Sequence, residues 1–256
     1  MMPLIDSHCH LDFNAFDNDR EQVLNHCREL GLTHIIVPGV TRGSWPALLE
    51  TCSQHPMLLP ALGLHPMFMQ AHQDGDIAAL QQTLENHRPV AIGEIGLDFF
   101  LQGHDKAAQT ALFEAQIQLA IQCDLPVILH VRKAHDEVLK VLRQASGLRG
   151  GIVHAFNGSM QQAEFYMQQG FLFGVGGALT YPRAQKLQRL FTELPLSSIV
   201  LETDAPDMPL AGHQGERNSP EMIPQVLEKL AELRDESAAE IAETTSNNCR
   251  TLFKLQ

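Results

Sequence analysis

Short runs of apolar and β-branched residues alternate along this chain with longer stretches in which apolar positions recur every three to four residues. Eight of the short runs read as strands: Leu4–Asp6, His34–Pro38, Leu58–Gly63, Val90–Ile95, Pro126–His130, Gly151–Ala155, Phe171–Val175 and Ile199–Glu202. The stretches between them read as helices, among them Asp19–Leu30, Ala107–Cys123, Asp136–Ala145, Ser159–Gln169 and Ala184–Leu194. Within the second of these, Phe113, Ile117, Ala120 and Ile121 share one face at helical spacing. Strands alternating with helices imply parallel βαβ units. Eight such units in 256 residues fit a closed α/β barrel of the TIM (β/α)8 type, with an open doubly wound sheet as the alternative, because periodicity does not show closure.

The chain has no linker rich in Pro, Gly or Ser and no charge block, so residues 1–256 read as a single domain. Residues 205–220, with prolines at 206, 209 and 220, read as one long loop after the eighth strand, and loops of that length are often functional. The tail beyond Ser219 reads as two helices, the second spanning Ser237–Leu252.

Composition narrows the function classes. The apolar fraction is 44% and the charged fraction 19%, ordinary for a globular enzyme. No apolar run reaches the roughly 18 residues needed to span a bilayer, so no membrane partner is expected. The opening MMPLIDSHCHLDF has neither a basic segment nor a long apolar one, which reads as no secretory signal and a cytoplasmic location. Five widely spaced cysteines without a C-x-x-C argue for free thiols rather than a disulfide framework. The formal net charge of −12 disfavours tight duplex DNA binding, which rests on Lys and Arg, although bound cations would reverse the sign locally.

The chemistry lies at the ends of the strands. The first runs into Ser7-His8-Cys9-His10, the fourth reaches Glu94, the fifth His130, the sixth His154 and the eighth Asp204. His8 and His10 are two apart on an extended segment, so both imidazoles point the same way. Each of these residues taken singly has an ordinary reading: a solvated turn, a strand-end ion pair, a hydrogen-bonded core histidine or a helix cap. Together they converge on the one face where a barrel brings the carboxyl ends of its strands. Four imidazoles and two carboxylates exceed one tetrahedral ion and suit two divalent cations sharing Glu94 as a bridge, with Zn, Mn or Mg all compatible. Asp204 is the candidate general base and later acid. Arg132, two residues past His130, could clamp a phosphate, and Arg217 and Asn218 are weaker substrate-binding candidates.

At these residues the sequence resembles the TatD family of metal-dependent hydrolases. The resemblance runs nearly end to end: IDSHCHLD at 5–12, GLHP at 63–66, GEIGLD at 93–98, LPVILHVRKAHDE at 125–137, GIVHAFNGS at 151–159, LETDAPDMP at 201–209 and RNSPE at 217–221. GVGGALTYPRA at 174–184 looks most like the YjjV-like branch. The resemblance implies a TIM barrel, amidohydrolase-like in build. One metal would be held by His8, His10, Glu94 and Asp204, and a second by Glu94, His130 and His154. It implies hydrolysis of phosphodiester or similar ester bonds, with deoxyribonuclease or 3'-5' exonuclease activity on single-stranded DNA ends within its range. It also puts His65 near the substrate. Two departures from the common pattern, Met67 where many members carry a second histidine and Phe99-Phe100 where many carry tyrosine, remove polar groups from loops near the site.

Two rivals stand beside this reading. An amidohydrolase or lactonase acting on a small metabolite would share the barrel and the H-x-H. Many such enzymes bridge their metals with a carboxylated lysine after strand four, where this chain has Glu94 and no lysine at all before residue 106. A non-hydrolytic binding protein would be expected to have lost at least one of the six ligands, and all six are present.

Overall fold

The computed structural model describes residues 2–100, 103 and 105–255. Eight strands alternate with helices: β1 (Leu4–Asp6), α1 (Arg20–Glu29), β2 (Leu32–Pro38), α2 (Trp45–Gln54), β3 (Leu58–Leu62), α3 (Asp76–His87), β4 (Ala91–Asp98), α4 (Lys106–Gln122), β5 (Val127–Arg132), α5 (His135–Leu142), β6 (Gly151–Val153), α6 (Met160–Gln168), β7 (Phe171–Val175), α7 (Gln185–Glu193) and β8 (Ile199–Leu201). The tail forms α8 (Ile223–Leu233) and α9 (Ala238–Phe253). All pairings are parallel, in the order β1 through β8. The seam between first and last strands is closed by hydrogen bonds: Ser7 N–H to Leu201 O at 2.9 Å, Asp204 N–H to His8 O at 2.9 Å and His10 N–H to Ala205 O at 2.7 Å. The open-sheet alternative is thereby excluded, and the fold is a TIM barrel.

Two apolar layers hold it together. Inside the barrel, Ile5, Ile36, Ala61, Ala91, Ile128, Ile152 and Val200 bring one side chain from each of seven strands to a common centre. Cys249 and Phe253 of α9 join this cluster, so the last helix closes the end opposite the strand carboxyl termini. Outside the strands, residues such as Leu24, Leu80, Phe113, Val138, Tyr166 and Phe191 pack the helices onto the sheet. Each fully buried aliphatic or aromatic side chain is worth about 1.5–3 kcal/mol, so these layers supply the stability against which a polar mouth can be held open.

Strand limits differ from the sequence reading in one consequential place. β4 does not stop at Ile95 but runs to Asp98, pairing Ile95–Asp98 with Leu129–Arg132 after a register irregularity following Ile92. This close pairing requires Gly96, at φ +137°, because a Cβ there would lie 2.1 Å from the carbonyl oxygen of His130. The extension carries Asp98 up to the mouth of the barrel. No helix among the described residues is long and apolar enough to cross a membrane.

Candidate metal centre

The site begins with how β1 and β8 end. Asp6, fully buried, accepts hydrogen bonds from the backbone N–H of His8 and of Thr203, both at 3.1 Å, and from the Thr203 hydroxyl at 2.6 Å. Burial pushes its pKa up to about 8, against these bonds, which lower it. Asp6 and Thr203 thus tie together the two segments that carry His8 and Asp204. Asp204 itself adopts the left-handed conformation at φ +57°, uncommon for a residue with a side chain and a recurrent feature of functional turns.

Glu94 lies at the centre. His8 Nε2 stands 3.1 Å and His10 Nε2 3.5 Å from its Oε2. His130 Nδ1 and His154 Nε2 each stand 3.1 Å from its Oε1. Asp204 Oδ1 closes the first side, 3.4 Å from His8 Nε2 and 3.8 Å from His10 Nε2. The two carboxylate oxygens therefore divide the four imidazoles into two pairs. His8, His10 and Asp204 bring ligand atoms within 4.8 Å of one another; so do His8, Glu94 and His154, and so do His65, Glu94 and His130.

The outer nitrogen of each ring decides what its inner nitrogen can do. His10 Nδ1 faces the carbonyl of Pro38 at 3.2 Å, an acceptor only, so the proton sits on Nδ1 and Nε2 presents a lone pair inward. His130 Nε2 lies 3.0 Å from Asp98 Oδ2, which fixes the proton on Nε2 and leaves Nδ1 free toward Glu94. His154 Nδ1 points at Glu202 Oε1 from 3.7 Å, beyond a hydrogen bond, while that oxygen accepts from Ala155 N–H at 2.6 Å. His65 is set the other way. Its Nδ1 accepts from Met67 N–H at 3.0 Å, so Nε2 carries the proton and donates to Glu94 Oε1 at 3.0 Å. His65 is therefore a donor that orients the carboxylate, although its ring lies within reach of a metal-binding group.

The electrostatics divide the rings: burial lowers all of them, but the neighbouring carboxylates raise His10, His130 and His154 above the usual imidazole range, protons that a bound cation would displace. Burial holds His8 down to about 3 and His65 down to about 4, so both are neutral imidazoles at pH 7. Burial alone would raise Glu94, but His65, His8 and His154 hold it well below the usual carboxylate range. Burial pushes Asp204 up to about 6, with His154 and His10 pulling against it; a cation alongside would lower it again. His8 Nδ1, His154 Nδ1 and Glu202 Oε2 are buried without hydrogen-bond partners. Lone pairs steered inward by second partners onto a buried carboxylate are what a divalent cation requires of its ligands. The residues present fit such ions.

The cluster opens into a cavity of about 520 Å³ whose walls include Phe13, Val40, Met67, Phe68, Phe156 and Met208. Of the residues expected near a substrate, His65 and Arg132 line it. Arg217 and Asn218 do not. The Arg217 guanidinium donates to both oxygens of Asp19, at 2.8 and 2.6 Å, and to Ala15 O at 2.6 Å, and it covers the Phe16 ring. The buried Asn218 amide donates to the carbonyls of Thr203, Asp207 and Met208. Both residues hold the 205–220 loop in place rather than facing the cavity. The sequence reading does not single out Asp6, Asp98 or Glu202. Each is a carboxylate at the end of an apolar run, the same signal that drew attention to Glu94.

A barrel with this donor set at its carboxyl-terminal mouth is the build of a metal-dependent hydrolase. Residues 5–254 match the family model described as TatD related DNase, and the chain belongs to that family of metal-dependent hydrolases. It is 45% identical to YjjV of Escherichia coli K12, a metal-dependent hydrolase, over 98% of both chains. The crystal structure of that TatD homologue superposes with a TM-score of 0.95, covering 99% of this chain and 98% of the other. A relative from Erwinia tasmaniensis named 3'-5' ssDNA/RNA exonuclease TatD is 32% identical, over 98% of this chain and all of that one.

Proposed function

We propose that this protein hydrolyses phosphodiester bonds with two divalent cations, one held by His8, His10, Glu94 and Asp204, the other by Glu94, His130 and His154. The supporting observation is the division of the imidazoles by Glu94, His8 and His10 on Oε2 against His130 and His154 on Oε1. Cations bound there would supply charge to neutralise a phosphoryl oxygen and to acidify the attacking water.

The remaining work falls to the chain's own groups. Asp204, the one carboxylate of the cluster whose side chain keeps some exposure to the cavity, accepts the proton of the attacking water and returns it to the leaving oxygen. Its position at a left-handed turn, tied by its N–H to His8 O, holds that carboxylate against the imidazole pair. His65 keeps Glu94 in place by donating to Oε1. Asp98 stands behind His130 as its hydrogen-bonded outer partner, and Glu202 places a negative charge 3.7 Å behind His154. Arg132 extends from β5 to the cavity rim, where its charge meets a phosphate in an otherwise acidic protein. Among phosphodiesters, the end of a single strand of nucleic acid suits a mouth that joins apolar walls to an arginine, and the names of the 32%-identical relatives lean the same way.

The test is turnover of a chromogenic phosphodiester, a carboxylic ester and an amide side by side, with Mn, Zn and Mg each supplied. The phosphodiester should lead in kcat/KM by at least roughly tenfold, about 1.4 kcal/mol of transition-state preference, and EDTA should abolish it. Faster cleavage of the amide would overturn the proposal in favour of an amidohydrolase.

A further inference from the structure

Beside the cavity, and sharing Arg132 and Asn157 with it, runs a second groove of about 710 Å³. Its cationic lining comes from three separate places in the fold: Arg132 at the end of β5, Lys133 in the turn that follows, and Lys186 and Arg189 on α7. Glu193 is the only carboxylate among the lining residues. The protein as a whole has 18 Lys and Arg against 30 Asp and Glu, so four cations facing one acid is a local reversal of the chain's charge.

Little opposes that charge. Glu193 is paired with Arg189 at 2.8 Å in an exposed contact within one helix, the kind of pair that an incoming anion displaces readily. The nearby acids of the first turn of α5 are engaged elsewhere: Asp136 accepts from Gln162 at 2.8 Å and Glu137 from Lys140 at 3.3 Å. Lys133 and Lys186 have no ion-pair partner among the described residues. Phe100 stands in the same groove, half exposed, with the Arg132 guanidinium 3.9 Å from its ring centre. A cationic track with an aromatic ring beside it is the arrangement that follows a single-stranded polyanion and stacks its bases.

We infer that this groove is a second anion subsite, which takes a phosphate adjoining the bond to be cut and so makes the enzyme prefer a substrate with more than one phosphate; the inference rests on the phosphodiester reading of the adjacent site. Arg132, bordering both spaces, links the scissile group to its neighbour. Lys133, Lys186 and Arg189 contact only the flanking phosphate, so they govern binding of the longer substrate and leave the reacting bond untouched.

The experiment uses the full chain and its Lys133→Ala/Lys186→Ala double variant, both substituted positions being exposed. Two probes are compared: thymidine 5'-(p-nitrophenyl phosphate), which has one phosphodiester, and a fluorescein-labelled oligothymidylate of roughly eight nucleotides, within the usual span of such grooves. The double variant should turn over the single diester at the parent rate. On the oligonucleotide its KM should rise, and the slope of log affinity against log salt should fall by roughly 0.7, the value for one phosphate no longer neutralised on a single strand. Anisotropy of the labelled strand in EDTA reads the groove without catalysis. An unchanged salt slope and KM overturn the inference, as do equal losses on both substrates, which would make the lysines structural. If neither probe is cleaved but the strand still binds with the predicted salt slope, the phosphodiester reading falls and the anion subsite stands.

Discussion

Replacing Asp98 by asparagine removes one charge and almost no volume, yet the geometry leaves the new side chain no good orientation. The carboxylate accepts twice: from Phe100 N–H on Oδ1 at 3.0 Å and from His130 Nε2 on Oδ2 at 3.0 Å. An asparagine oxygen kept on Phe100 turns its NH2 toward His130 Nε2. That nitrogen must then accept, the ring proton moves to Nδ1, and the lone pair aimed at Glu94 is lost. An oxygen kept on His130 instead sets the NH2 against the Phe100 N–H, leaving a donor unmatched at about 1–3 kcal/mol. In the first orientation one ion loses the preset ligand His130; in the second the ligand is kept only at the cost of that unmatched donor, so the tautomer is no longer fixed. The expected loss, about 10–100-fold in affinity at that ion, matches the usual cost of removing the outer partner of a metal-bound histidine. Isothermal titration of metal-free protein with Mn or Zn, together with metal content per chain, measures it. The ion at His8, His10 and Asp204 should bind as in the parent, and the melting temperature of the metal-free variant should stay within a few degrees. Parent affinity at both ions in a folded Asp98→Asn protein would refute the argument that Asp98 sets the His130 tautomer.

Three further outcomes follow from the same geometry. Glu94→Gln should lower occupancy at both ions together, read as metal per chain after dialysis; retention of two ions would refute the bridge. Asp204→Asn, assayed with excess metal, should keep the fold and the ion at Glu94, His130 and His154 but lose at least about a hundredfold in activity, the low end of general-base contributions; recovery to the parent rate would make Asp204 a ligand only. Gly174→Ala places a Cβ 1.9 Å from Glu202 Oε2, so the buried carboxylate behind His154 must move. Urea unfolding should show about 1–3 kcal/mol lost, as for other overpacked sites, and a loss under about 0.5 kcal/mol would mean that Glu202 has room to shift.

Much of this was legible in the chain alone. Parallel strands buried on both sides must be apolar throughout, so a histidine, glutamate or aspartate ending such a run is conspicuous, and a barrel sends all those ends to one mouth. That logic reached His8, His10, Glu94, His130, His154 and Asp204 without coordinates. It did not reach Asp98, because nothing in GEIGLD says that the strand continues past Glu94 with the register change that lifts Asp98 to His130. Nor could it sort Arg217 and Asn218 from Arg132. All three sit near motifs at strand ends, but the use of a guanidinium or an amide depends on what folds back against it, here Asp19 and the carbonyls of Thr203, Asp207 and Met208.

Local pattern is set by near neighbours in the chain, through periodicity of burial and the chemistry of each strand end, and so the eight βα units and the residues that end their strands were readable from the chain, while closure into a barrel came from the β1–β8 seam. Three further things came only from the folded chain: which oxygen of Glu94 meets which imidazole, which nitrogen of His10 and of His130 has an outer partner, and that Lys133, Lys186 and Arg189 line one groove. Each depends on the distance between groups tens of residues apart, and hydrogen bonds and charge–charge interactions act on that distance, to which a one-dimensional pattern is blind.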